Sequence, residues 1–134
     1  MSTPSTTTNA AAVAPGAAPA YFTGIDYHKR YSVYCVLNAA GEIQARGRIE
    51  HAAPDDFAVL VKQWPGRLVF EASMNWHWLY ELLERDMKAE DIVLANAYKT
   101  RIIAEAQVKT DKVDAFILAQ LLRVNFIPAL HIPA

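Results

Sequence analysis

An α/β fold, with a mixed sheet flanked by helices, is predicted by two features of this 134-residue sequence. From Tyr21 the chain opens with three short β-branched and aromatic runs separated by turn residues. It then alternates short apolar runs with segments of helical spacing. Hairpins give antiparallel neighbours and strand–helix–strand repeats give parallel ones, so the combination calls for a sheet of mixed direction covered by helices. With 53% of its residues hydrophobic, a chain this long supports one core and not two.

Taken in order, residues 1 to 20 are mostly Ser, Thr, Ala and Pro, without a basic start or an apolar core, which argues for a disordered leader and against a signal peptide. The folded domain is expected over residues 21 to 134. Tyr21 to Asp26, Tyr31 to Leu37 and Glu42 to Ile49 read as strands, turning at Tyr-His-Lys-Arg and Asn-Ala-Ala-Gly. Pro54-Asp55-Asp56 starts a helix carrying Phe57, Leu60, Val61 and Trp64 at helical spacing, and Pro65-Gly66 ends it. Arg67 to Glu71 is a nearly all-apolar run, as in a strand buried on both faces. Asn75 to Met87 places Trp76, Leu79, Tyr80, Leu83 and Met87 at spacings of three and four, an amphipathic helix. Asp91 to Ala95 is another strand. A last helix, capped by Thr110 or Asp111, carries Val113, Ile117, Leu118, Leu121 and Leu122 on one stripe and makes Asp111 and Asp114 neighbours.

The net charge of −1 argues against a module that coats DNA non-specifically, because phosphate binding of that kind shows as a basic excess. Any contact with nucleic acid is therefore local. One cysteine, Cys35, forms no internal disulfide and fits a reducing compartment. No run approaches the roughly 20 apolar residues of a membrane helix.

Four acids stand at element ends: Asp26, Glu71, Asp111 and Asp114. Each has a plain structural role available. Asp26 suits a turn, Glu71 a solvated loop, and the last two favour a helix N-terminus at roughly 0.3–1 kcal/mol each. As a group they mean more. Ligand sites in α/β sheets lie at strand ends, and carboxylates brought together there repel unless a cation sits between them. Hard divalent ions such as Mg²⁺ take oxygen ligands of this kind.

Four segments carry a resemblance: Gly-Ile-Asp-Tyr-His-Lys at 24 to 29, Phe-Glu-Ala at 70 to 72, Ala-Tyr-Lys-Thr-Arg at 97 to 101, and Val-Lys-Thr-Asp-Lys-Val-Asp-Ala at 108 to 115. Together they resemble the amino-terminal domain of the IS110-type transposases. The resemblance implies an RNase H-like (RuvC-like) fold whose DEDD acids are Asp26, Glu71, Asp111 and Asp114, holding Mg²⁺ or Mn²⁺. It implies DNA strand cleavage and exchange, in which two ions about 3.5–4 Å apart would clamp the attacking and leaving oxygens. It also implies a structured non-coding guide RNA, a homo-oligomer, and work in the bacterial cytoplasm at the nucleoid.

Family members continue into a second domain whose serine attacks DNA. The present chain stops at Phe126 to Ala134, so a fragment or truncated reading frame, inactive on its own, is expected. Ser73 is better explained as a helix cap than as a replacement nucleophile, there being no base beside it. Two alternatives stay open: a catalytically silent remnant serving as an RNA-binding or dimerisation module, and a stand-alone nuclease resembling Holliday-junction resolvases.

Lys29, Lys99, Arg101, Lys109 and Lys112 lie near the acids in sequence and suit phosphate contacts, though a solvated helix face explains them equally well. Lys29 is joined by Arg30. His28, two residues after Asp26, is a candidate metal neighbour or proton carrier. His51, His77 and His131 show no zinc spacing with Cys35. Trp76 and Tyr80 belong to the core stripe, and Trp78, off that stripe, is expected to face a partner.

Overall fold

The three aromatic-rich runs do pair as hairpins, because each is bounded by residues that turn the chain. In a computed structural model, which describes residues 21–132, β1 (Tyr21–Tyr27), β2 (Tyr31–Asn38) and β3 (Ile43–Glu50) form an antiparallel meander. The leader over residues 1 to 20 lies outside the described residues. After α1 (Asp55–Gln63) the chain returns as β4 (Gly66–Glu71), parallel to β1, and after α2 (Trp76–Glu84) and a 3-10 turn (Ala89–Asp91) as β5 (Ile92–Ala95), parallel to β4. The sheet order is β3-β2-β1-β4-β5, the RNase H-like arrangement of an antiparallel meander extended by parallel strands. Two further helices follow, α3 (Ala97–Val108) and α4 (Ala115–Arg123).

Side-chain alternation along the strands gives the sheet two apolar faces. One carries Ile25, Val36, Leu68, Phe70 and Leu94 and is covered by α1, through Phe57 and Leu60, and by α2, through Leu79 and Leu83. The other carries Val69, Val93, Cys35 and Leu37 and is covered by α4, through Leu118, Leu122, Ala115 and Ala119. α3 lies outside α4, where Ala104 packs with Ile117 and Leu121. The outer edge of β5 is closed by the segment after α4: Ala95 bridges Ala129, Asn96 N–H donates to the Pro128 carbonyl (2.9 Å), and Leu130 N–H donates to the Leu94 carbonyl (2.8 Å).

Three sequence expectations are corrected. The last helix starts at Ala115, not at Thr110 or Asp111, because the Asp114 side chain is its cap: Oδ1 accepts from Ile117 N–H at 3.0 Å. Thr110 is instead tied into a local turn, its Oγ1 accepting from Lys112 N–H at 3.1 Å, and Asp111 lies in the connecting loop. Val113 still packs against the α4 core from that loop. α3 was not anticipated from periodicity, because its only buried residues are Thr100 and Ala104, while Tyr98, Ile102 and Val108 are exposed. Trp78 faces no open surface. It is half-buried against Tyr27, His51 and Phe57, with ring centroids 4.9–6.4 Å away.

Gly24 is where α4 approaches β1 most closely in backbone terms, leaving no room for a side chain. A Cβ there would overlap the Ala115 carbonyl oxygen and lie 2.6 Å from the Ala119 nitrogen. Gly24→Ala is therefore expected to cost about 1–3 kcal/mol or more by overpacking, read as a lower midpoint in urea denaturation.

Buried Ser32 donates to His51 Nε2 (2.8 Å), a role fixed by His51 Nδ1–H donating to the Lys29 carbonyl (3.1 Å). Burial holds the His51 imidazole below its ordinary value of 6.5, against the opposing Lys29 bond and the Glu50 charge. The unfolded chain then binds a proton that the folded chain resists, so stability falls as the pH drops below 6.5 towards the lower folded value. His51→Gln should flatten that part of the stability–pH curve in urea titrations between about pH 7 and 5.

Candidate active site

Parallel pairing brings the first two acids together. Ile25 of β1 pairs with Phe70 of β4, and Asp26 and Glu71 are the next residue on each strand. Gly24 and Val69, two residues earlier, face α4, so Asp26 and Glu71 face the same side. Glu71 in turn pairs with Ala95, the residue before the α3 cap Asn96. Asp26 Oδ2 lies 3.2 Å from His28 Nε2, and both side chains are partly exposed, at 35% and 41%.

The Glu71 carboxyl is pushed above its ordinary range, first by burial and second by the Asp26 charge, while Arg101 pulls it down. The strand pairing that sets Asp26 beside Glu71 accords with the repulsive contribution, and the α3 residue Arg101 supplies the opposing charge.

Asp114 reaches this end of the sheet through the contact between α4 and β1. Ala115 lies directly over Gly24, so the helix N-terminus, and with it Asp114, is held beside β1. Burial raises the Cys35 thiol, Arg46 opposes the rise, and the Asp114 charge adds a smaller push upward; Cys35 is the strand partner of Gly24. Asp114 is half-buried, whereas Asp111 is exposed in the loop between α3 and α4. Among the described residues, no three Asp, Glu, His or Cys side chains stand close enough together to hold a metal ion. Asp26 and Glu71 thus end neighbouring strands on the face that α4 covers, the Asp114-capped start of α4 is seated over β1, and Asp111 lies apart in the loop before it.

The candidate cations lie on three separate stretches of the chain, and of those on α3 and its following loop Arg101 acts on Glu71. Lys99 and Arg101 are exposed on α3, Lys109 ends α3 in a left-handed conformation (φ 62°), Lys112 is exposed in the following loop, and Lys29 and Arg30 are exposed in the β1–β2 turn. Position in the sequence did not single out Arg48. Its guanidinium lies 3.6 Å from the Tyr31 ring centroid, and Tyr31 stacks on His28 at 4.6 Å. An alternation reading of β3 would have found it, since Arg48 pairs with Val33 and Val33 with Asp26, one row across the sheet.

Beside the acids, between the β1–β2 turn and the β4–α2 loop, lies an open groove of about 480 Å³ lined by Tyr27, His28, Lys29, Ser73, Met74 and Asn75. Among the described residues no helix is long and apolar enough to cross a membrane.

Against known proteins, no curated sequence matches the chain. Among solved structures, it is similar to the large terminase nuclease from thermophilic phage G20c, at 20% identity and a TM-score of 0.41. That likeness covers 85% of this chain and 59% of the nuclease. A family model for the IS110-type DEDD enzymes, described as a transposase, matches residues 23–131. That match spans both sheet acids, the loop acid, the α4 cap and every element that positions them, and the chain belongs to the IS110-type DEDD transposase family.

Proposed function

We propose that this chain is the metal-dependent nuclease domain of a DNA transposase, in which Asp26, Glu71, Asp111 and Asp114 hold Mg²⁺ or Mn²⁺ and act in DNA strand cleavage and exchange. The observation that carries the reading is the placement of Asp26 and Glu71 as neighbours at the ends of two parallel strands, with the Asp114-capped helix seated over the first of them.

The donor set fits a hard cation. Two adjacent carboxylates, one half-buried and driven towards its neutral form, are a cost to the fold that a divalent ion removes. In this reading Asp26 and Glu71 supply the first oxygens, Asp114 adds the one its cap leaves over, and Asp111 comes in from the loop. Bound there, the ion supplies Lewis acidity and charge neutralisation at a phosphodiester. Arg101 limits the repulsion before a substrate arrives, and Lys99, Lys109, Lys112 and Lys29 meet flanking phosphates.

Family membership further supports a guide RNA, self-association, a serine-bearing second domain for complete recombination, and a place at the bacterial nucleoid. A second reading, a silent module that keeps the fold, is favoured by one observation: the acids do not already form an ion cage.

Calorimetric titration with Mg²⁺ and Mn²⁺ separates the two. Saturable binding that is lost in Asp26→Asn and in the Asp111→Asn, Asp114→Asn double variant supports the metal site; equal affinity in all three proteins ends it. A second expectation concerns stability without metal. Because the Glu71 value is raised, the folded state holds the proton more tightly. The resulting stability is full below the unfolded value of 4.5 and is lost as the pH rises through the folded value. Glu71→Gln should therefore melt above the parent chain at neutral pH in a chelator. That advantage should vanish near about pH 4 and shrink when Mg²⁺ is added.

A further inference from the structure

The groove beside the acids has an unusual rim. Met74 is 94% exposed, on a loop that is nonetheless fixed. Trp76 N–H donates to the Ser73 carbonyl (3.2 Å), Asn75 adopts a left-handed conformation (φ 66°), and the Tyr27 hydroxyl donates to the Asn75 carbonyl at 2.9 Å. A large apolar side chain is thus presented to solvent by a braced turn three residues after Glu71. The opposite wall is Tyr27, His28 and Lys29, and His28 also touches Asp26. One residue therefore borders both the acid edge and the groove.

Chemistry narrows what the groove takes. It spans two loops, too short for a helix or strand to lie along. It combines apolar and aromatic surface with two hydroxyls, an imidazole, an amide and one ammonium, the mixture that suits a flat heterocycle with polar edges and a nearby phosphate. Methionine is unbranched and polarisable, which favours contact with ring faces, and exposed apolar side chains at DNA-contacting edges insert between bases.

We propose that this groove receives one unstacked nucleobase of the strand whose phosphate lies at the acids, with Met74 contacting the ring and Lys29 an adjacent phosphate. The inference rests on the reading of the acids as a DNA-processing site, and it adds to that reading a subsite and a positioning residue.

The test uses the full chain labelled with ¹³C in the methionine methyl groups, titrated in a chelator with a 15-nucleotide single-stranded oligothymidylate and with a backbone-matched oligomer lacking bases. The Met74 methyl should shift with oligothymidylate and not with the abasic oligomer, while the half-buried Met87 stays in place as an internal control. By fluorescence anisotropy Met74→Ala should weaken oligothymidylate about fivefold or more and leave the abasic oligomer unchanged, and Met74→Leu should retain most of the affinity.

Equal Met74 shifts with both oligomers, unaltered affinity in Met74→Ala, or no binding of either oligomer would overturn the groove assignment. So would a Met74 shift that follows protein concentration alone, which would mark a contact between copies of the chain. Each of these outcomes leaves the metal titration of the acids to decide the underlying reading by itself.

Discussion

The seating of α4 on β1 is the constraint from which the rest of the molecule follows. Gly24 has no side chain, and Ala115 and Ala119, one helical turn apart, present little more than backbone to it, so helix and strand approach more closely than larger residues would allow. Around that contact the helix is apolar on nearly every side: Leu118 and Leu122 meet the parallel strands, and Ile117 and Leu121 meet α3. The first N–H groups of such a helix have no intrahelical partner, and Asp114 supplies a cap worth about 0.5–2 kcal/mol. The same contact that closes one face of the sheet therefore delivers a carboxylate to the end of β1.

Charge is arranged locally and not globally. The chain as a whole is nearly neutral, yet Asp26 and Glu71 end neighbouring strands, with the Arg101 charge acting on Glu71 and Lys29 in the turn that follows β1. For Glu71 burial outweighs the Asp26 charge as the cause of its raised value. That order matters. A carboxylate already stripped of part of its hydration has less water to give up, so part of the cost of holding a cation there would already be met in the fold. The His28–Tyr31–Arg48 stack extends this edge across to β3. The Arg48–Glu50 pair at its far end is solvent-exposed and adds little to stability.

Much of this architecture was legible in the sequence, and the failures have physical causes. The hairpins, both sheet acids at strand ends, α1 and α2 followed from alternation, helical spacing and Pro-Gly punctuation. α3 escaped because it buries a threonine and an alanine against a neighbouring helix and so writes no apolar stripe. Its capping residue Asn96, whose side chain accepts from Lys99 N–H, was the signal present. Trp78 was misplaced because stripe reasoning assigns one face per helix, whereas β1, α1 and the β3–α1 connection wrap α2 with Tyr27, Phe57 and His51. Arg48 was invisible because Asp26, the acid whose row it shares, is two strands away. The groove had no sequence signature at all, being formed by two loops whose proximity depends on the parallel pairing of β1 with β4.

Asp114 shows why spacing alone could not decide between a cap and a ligand. A carboxylate has two oxygens, and only Oδ1 is committed to Ile117 N–H. Oδ2 takes no part in that bond, so one residue can both terminate the helix and face the strand end. The two roles answer differently to substitution. Asparagine retains an oxygen that caps about as well as aspartate, but it has no charge to offer a cation; alanine removes both. A loss of metal affinity in Asp114→Asn with the melting temperature held would therefore isolate the ligand role. A loss of both in Asp114→Ala would say nothing about which had failed.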